Sequence, residues 1–530
     1  MNLGFLLISC TLAAGEEPAV LDAFHYEDAK TASAAWRPQG IPEIAVFKSK
    51  AGRGIELALP FAAKPSLERV TIDRKLRLDL AGRREFTLDV EPSDMAAMGD
   101  ITLYFKSGDG WYGCSGGLRR PGPQTLRFAR TAFRGEGRPA GWEHVDGIRI
   151  AVWRGMGENS SLRLSRLAAW EGRAKIVEPV AAIRVIDPSH EGRGFWNHSG
   201  TGAYPGDWER TAKALEAGGF TMILPNQLWA GRADYPSKLL PESDAFRKYG
   251  DQVAQCVAAA HRHGLQVHVW KVNFNLGNAP REFVEKLRRE GRTQVSVAGK
   301  ATNWLCPSHP ENLKIEVDTM VEVARNYPVD GLHFDYIRYP DGEHCYCDGC
   351  RKRFEADSGK PVAEWPGDCY RGLQREEYRT WRCRQITRVV EAVSREAKRV
   401  RPGIKISAAV FGGYPSCRQV VGQDWVGWVK AGYLDFICPM DYSASDDAFA
   451  DLVASQVYFV GGREPVYAGI GATAVNPPMT AAQVLRQIEK ARSLGASGFT
   501  IFNLDGKTIE TIVPEVRDGV KATRRENAVK

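Results

Sequence analysis

VDGLHFDYIRYPDGEHCYCDGC, residues 329–350, joins an apolar run, a single acid at its end and three cysteines soon after. Successive side chains of a β-strand face opposite sides. Gly331, His333 and Asp335 then share one face, and Leu332 and Phe334 the other. The two large apolar side chains need a cover such as a layer of helices, which turns Asp335 to the opposite side. A carboxylate there is costly unless it is paired or used. One such strand does not make a fold, but its neighbours along the chain repeat the layout.

Working outward, apolar runs at Ile183–Asp187, Phe220–Pro225, Leu265–Lys271, Val329–Asp335, Ile404–Val410, Leu434–Met440, Pro465–Ile470 and Gly498–Asn503 read as strands. Amphipathic stretches lie between them, among them Asp207–Ala217, Asp251–His263, Glu376–Arg399 and Ala481–Ser493. Gly218-Gly219, Gly264, Gly403, Gly432 and Gly495 stand where helix C-caps belong. Eight such units over residues 180–515 predict a (β/α)8 TIM barrel, an α/β fold. A doubly wound sheet is the alternative, but no Gly-rich phosphate loop or dinucleotide fingerprint accompanies it.

Residues 20–172 have another texture: short alternating runs broken by Gly, Pro and Asp, as in Gly54-Ile-Glu-Leu-Ala-Leu and Gly147-Ile-Arg-Ile-Ala-Val-Trp. That pattern predicts an all-β, jelly-roll-like sandwich resembling modules joined to carbohydrate-active enzymes. Trp111, Tyr112 and Trp142 could form a sugar platform there, or belong to its core. Residues 1–16 read as a signal peptide without a basic n-region, and Leu7-Ile8-Ser9-Cys10 resembles a lipobox in which Cys10 would be lipidated. These features predict export to the periplasm, the extracellular space or a lipid anchor at the cell envelope. Residues 516–530 form a polar tail. No later run approaches the length of a membrane span.

The 530 residues carry 43% hydrophobic and 25% charged residues, the composition of a folded chain long enough for two or three domains. A net charge of +7 with scattered Lys and Arg gives no nucleic-acid footprint. Oligomeric state is not legible.

In a TIM barrel, function sits at the C-terminal strand ends. Those ends read Asp187-Pro-Ser-His190-Glu191, Pro225-Asn226-Gln227, Trp270-Lys271-Val272-Asn273, His333-Phe-Asp335-Tyr336-Ile-Arg338, Phe411-Gly-Gly, Pro439-Met-Asp441-Tyr442, Gly469-Ile-Gly471 and Phe502-Asn503-Leu-Asp505. Asp335 and Asp441 are the carboxylates expected to face each other across the mouth, the minimum equipment for glycoside hydrolysis. Their separation would distinguish retention from inversion. Arg338 and Lys271 would hold Asp335 ionised as nucleophile or stabiliser; either acid could instead merely form a salt bridge to one of them. Asp441, beside Met440 and Tyr442, suits the proton donor, although the two roles could be exchanged. His333, Tyr336, Trp270, Tyr442 and Asn503, with Arg338 and Lys271, would line the sugar subsite. Glu191 and Asp505 are the next carboxylates in line.

At these residues the chain resembles the family-10-like glycosyl hydrolases of bacteria. Val329-Asp-Gly-Leu-His-Phe-Asp-Tyr-Ile-Arg-Tyr-Pro340 carries the resemblance, with Trp270 and Pro439-Met-Asp-Tyr442 in support. It covers roughly residues 180–510 and implies an exported barrel glycosidase acting on bacterial or plant polysaccharide. A weaker likeness to family 18 chitinases fails at its acid position, which here is Ile337.

Cys345-Tyr-Cys347-Asp-Gly-Cys350 has the C-x-C-x2-C spacing that suits one tetrahedral zinc better than disulfides. Cys306, in the loop after strand three, supplies a fourth ligand, an arrangement that resembles the zinc site of family 42 β-galactosidases. His344 or Cys369 could replace Cys306, and a disulfide set remains the alternative in an exported protein. A four-thiolate zinc has no open position, so it is a structural brace and no catalytic cofactor is expected. Two rival readings remain. One is a non-catalytic carbohydrate-binding barrel. The other is a metal-dependent polysaccharide deacetylase using Asp187, His190 and His333.

Overall fold

The structure, a computed structural model, describes residues 17–49, 52–172, 174 and 191–519. The leader and lipobox, Ile183–Asp187, His190 and the tail from residue 520 lie outside the described residues. The chain divides into two compact units, 1–179 and 180–530.

In the first unit, two six-stranded antiparallel sheets enclose one apolar core. Alternation builds it: Leu57, Phe86 and Leu88 of one sheet and Ile72, Leu103, Phe105 and Ile150 of the other are all buried in this core. Trp142 belongs to it as well, stacked on Tyr112 at 4.4 Å and on Phe86 at 5.7 Å. Of the three rings considered for a sugar platform, only Trp111 stays out of that core. Its faces are occupied by Arg149 at 4.7 Å and Lys106 at 5.7 Å. The sandwich thus has no ready platform of those three rings.

In the second unit, eight parallel strands close into a barrel: Gly192–Asn197, Met222–Leu228, Gln266–Val272, Gly331–Asp335, Lys405–Phe411, Phe436–Met440, Tyr467–Ile470 and Gly498–Phe502. They are called strands one to eight below. The TIM barrel predicted from the sequence is therefore the fold, with one correction. Strand one is Gly192–Asn197 and not Ile183–Asp187. Its glycines have a packing reason: a Cβ on Gly192 would overlap the Tyr467 ring, and one on Gly194 would crowd Thr500, Leu224 and Met222. Helices follow the strands much as the periodicity predicts, with Asp207 and Asp251 as N-caps of Trp208–Ala217 and Gln252–Arg262. Gly219, Gly264, Gly403, Gly432 and Gly495 all take positive φ at helix ends.

Candidate active site

The lumen-facing side chains alternate as the strand period requires. Met222 and Leu224 of strand two, Trp270 and Val272 of strand three, and Phe436 and Cys438 of strand six are buried together inside the barrel. Gly331 faces His268, so His333 and Asp335, two and four residues on, face inward too. Trp270 lies opposite His333, and Val272 opposite Asp335.

Asp335 ends strand four at the functional rim and is 5% exposed. Its Oδ1 accepts a 2.7 Å hydrogen bond from the Tyr336 backbone N–H, and its own carbonyl accepts from the Asn273 N–H at 2.8 Å. Burial pushes its pKa up to about 6, against the opposing pull of the Tyr336 N–H, the Arg338 guanidinium and the nearby Trp270 indole. Burial wins over Arg338. This corrects the expectation that neighbouring cations hold Asp335 firmly ionised. Tyr336, the next residue, sits at φ +54°, a sparsely populated conformation for a non-glycine residue.

Rings surround that carboxylate. Tyr442 packs edge-on to Trp196 and tilted against Phe502, and the charge of Asp335 is among the causes that raise its own pKa. Gly471 on the loop after strand seven leaves room for it, since a Cβ there would crowd Tyr442. Arg338 lies 5.5, 4.8 and 4.7 Å from the ring centres of Trp304, Tyr336 and Phe411. Its Nη1 donates to the carbonyls of Tyr339 and Pro340. Asn503, after strand eight, accepts from the His198 backbone N–H at 2.9 Å. Tyr336, Arg338, Trp270 and Tyr442 therefore gather round Asp335, while Asn503 lies at the end of strand eight, bonded to the residue after strand one.

Five predicted positions are elsewhere. Asp441 is fully buried on the outward side of strand six. Its Oδ1 accepts from Gln456 on helix Asp446–Val460 at 2.6 Å, and its Oδ2 has no protein partner. Burial raises the pKa of that carboxyl well above the ordinary range, which favours its neutral form. Alternation explains the turn: Cys438, Met440 and Tyr442 take the inward places, so Asp441 falls between them on the outside, against Gly412. The two carboxylates do not face each other. Lys271 likewise points outward, paired with buried Glu316 at 3.4 Å. His333 is inward but sealed beneath the mouth. Its Nε2 accepts from the Trp196 indole N–H at 3.0 Å and its Nδ1 meets Ser407 Oγ at 2.8 Å, so it is a neutral, fully engaged ring. Glu191 precedes strand one at the opposite end of the barrel, bonded to Arg193 and Arg492. Asp505 is spent as the N-cap of helix Gly506–Thr511.

The sequence reading missed Trp196 and His198 because it placed strand one too early. The His198 ring lies 4.5 Å from Trp229 and 5.9 Å from both Trp270 and Phe502. It also passed over Asn226, although it had located that strand end.

Cys306, Cys345, Cys347 and Cys350 are buried, and their sulfurs lie within 4.8 Å of one another. None is in a disulfide. The Cys306 Sγ is 3.8 Å from that of Cys347 and 3.5 Å from that of Cys350. Backbone N–H groups of Val295 and Cys350 point at the sulfurs of Cys345 and Cys347, as they do toward thiolates. This buried cluster could hold a metal ion. It ties the hairpin Thr293–Val295/Ala301–Leu305, which carries Trp304, to the loop after Asp335. Of the residues in the deacetylase reading, His333 is engaged by Trp196 and Ser407, while Asp187 and His190 lie outside the described residues.

A closed barrel with an inward acid at its mouth is the architecture of glycoside hydrolases. Residues 209–477, just over half of the chain, match the family described as Glycosyl hydrolase-like 10, and the chain belongs to it. "Glycosyl hydrolase DigH" of Escherichia coli strain K12 is 25% identical over 246 residues, 40% of this chain and 52% of that protein. An "S-layer-related protein" of Niallia circulans is 26% identical over 255 residues, 41% of this chain and 15% of that one. The chain thus spans about half or less of the curated relatives it matches. Among solved structures, the PgaB (BpsB) glycoside hydrolase domain from Bordetella bronchiseptica superimposes with a TM-score of 0.52 at 16% identity. That match covers 62% of this chain and 99% of the domain, a likeness of fold.

Proposed function

We propose that the protein is an exported glycoside hydrolase whose barrel cleaves glycosidic bonds of a bacterial or plant polysaccharide, with Asp335 as the proton donor. The observation that carries this reading is the Asp335 carboxyl itself: inward, at the functional rim, among aromatic rings, and with a pKa of about 6. A carboxyl so poised is protonated for part of the time near neutrality and can protonate a leaving glycosidic oxygen. Tyr336, Tyr442 and Trp304 offer apolar faces for sugar rings, and Arg338 stabilises the carboxylate left after proton transfer. Export rests on the signal-peptide-like reading of residues 1–16.

The four cysteines suit structural zinc. Zinc–sulfur bonds of about 2.3 Å arranged tetrahedrally place sulfurs roughly 3.8 Å apart, close to the spacings of Cys306 from Cys347 and Cys350. Bound there, zinc supplies folding energy, while the chain's own Trp304, Tyr336 and Arg338 form the rim.

One observation favours a second reading. With Asp441 turned away, Asp335 lacks the partner carboxylate that the sequence assigned to it, which suits a barrel that binds carbohydrate without cleaving it. Reducing-end release from a panel of bacterial and plant polysaccharides separates the two. Asp335→Asn should lower turnover by about 10²–10⁴-fold while retaining binding. Wild-type protein that binds a polysaccharide and releases no reducing ends would leave only the binding role.

A further inference from the structure

We infer that Asn226 and Trp270 form a neutral donor–acceptor bracket beside Asp335, which holds an uncharged polar substituent of the sugar, a hydroxyl or an acylamino group, and turns charged substituents away. The inference rests on the carbohydrate reading of the mouth. Asn226 is 1% exposed and Trp270 3% exposed. Neither amide atom of Asn226 has a hydrogen-bond partner in the protein, and the indole Nε1 of Trp270 has none at full hydrogen-bonding geometry, although it is directed at the Asp335 carboxylate, whose pKa it lowers. Both side chains face the lumen: Asn226 shares the parity of Met222 and Leu224, and Trp270 is packed in the same interior cluster. Asn226 lies opposite Trp270 on the neighbouring strand, and the next strand carries Asp335.

Buried polar groups are nearly always satisfied, and leaving such atoms unpaired is costly. The layer just beneath shows how this barrel treats a polar group kept for structure: His333 has both ring nitrogens engaged. Asn226 and Trp270, by contrast, are buried beside Asp335 without such partners.

Their chemistry selects the ligand. Asn226 Oδ1 needs a donor, while Asn226 Nδ2 and Trp270 Nε1 need acceptors. A carboxylate has nothing to give Oδ1, and an ammonium has nothing to accept from the two N–H groups. A hydroxyl or an acylamino group can do both. A site of buried polar groups rejects a ligand that leaves them unpaired far more strongly than an apolar pocket rejects an extra methylene.

The test uses the full chain with Asn226→Leu, which replaces the amide by an apolar group of the same branching, and Trp270→Phe, which removes the indole N–H together with part of the ring. In ligand-free protein Asn226→Leu should leave Tm unchanged or raise it by about 2 °C, and Trp270→Phe should lower it by no more than about 5 °C. A fall of more than about 5 °C in both would mean that these groups serve the fold, and would overturn the inference. Calorimetry with β-1,4-linked pentasaccharides of glucose, N-acetylglucosamine and glucosamine, which differ only at C2, reads the selectivity. At least one neutral pentasaccharide should bind ten times or more tighter than the glucosamine one, and Asn226→Leu should erase the difference. Equal affinity for all three, or no binding of any, overturns the substituent assignment. The glycosidase reading is judged separately, by whether turnover of the polysaccharide panel depends on Asp335.

Discussion

Asp335 owes its function to a contest between burial and charge. Burial raises its pKa, while the Tyr336 N–H and Arg338 lower it. As the proton donor it must be protonated, so kcat/KM should fall as pH rises through about 6. Arg338→Met removes a stabilising charge and should move that limb to higher pH, and a limb that stays put would exclude the assigned role. Stability follows the same shift. An acid raised from the ordinary 3.8 to about 6 binds its proton more tightly when folded, so its cost is absent at low pH and complete above about 6. Asp335→Asn should therefore stabilise the protein at pH 7 by about 1–3 kcal/mol, with the gain vanishing below about pH 4. Asp441 contrasts with it. Favoured in its neutral form and sealed against Gln456, it should tolerate Asp441→Asn with turnover changed less than about threefold, because amide and neutral acid are alike in shape and charge.

Two elements hold the rim in shape. The loops after strands three and four meet at the four cysteines, and beyond them Trp304 packs 5.6 Å from Tyr336. Elemental analysis should find about one zinc per chain. Cys347→Ser should lower Tm and turnover together, and disulfides in place of metal would end that account. On the far side, strand seven and its loop use glycine where Tyr442 needs space. Gly471→Ala should cost about 1–3 kcal/mol and displace the Tyr442 ring, which a denaturation curve and the loss of turnover would register. Much of this was legible. The C-x-C-x2-C spacing carries its own geometry, while Cys306 came from the likeness to the zinc site of family 42 β-galactosidases, with His344 and Cys369 as alternatives. The role of Gly471 was not, since the ring it accommodates belongs to another element.

For the whole molecule, the two compact units carry separate cores, and each site residue named above lies in the second. A protein lacking residues 1–175 should fold and keep its turnover of small substrates within about threefold, since removal of a separately packed domain leaves the other core intact. A folded barrel without that turnover would place part of the site in the sandwich. Among the described residues no helix is long and apolar enough to cross a membrane.

The sequence by itself determined the barrel, the sandwich and the inward face of Asp335, because strand period, helix period and capping are local rules that neighbouring residues obey together. It also determined the cysteine cluster. The tertiary structure alone decided strand one, where Gly192 and Gly194 replace the expected apolar run because Tyr467, Met222 and Thr500 fill that space from other strands. It decided the direction of Asp441 as well. Counting residues gave Asp441 a strand-end position like that of Asp335, but parity is set by which neighbours reach the lumen first, and Cys438, Met440 and Tyr442 did. It decided, finally, which polar groups are engaged and which are left open. His333 and Lys271 are satisfied by Trp196, Ser407 and Glu316, residues that come from other elements. The buried amide of Asn226 has no protein partner, and hydrogen bonds between strands far apart in the chain are what make that distinction.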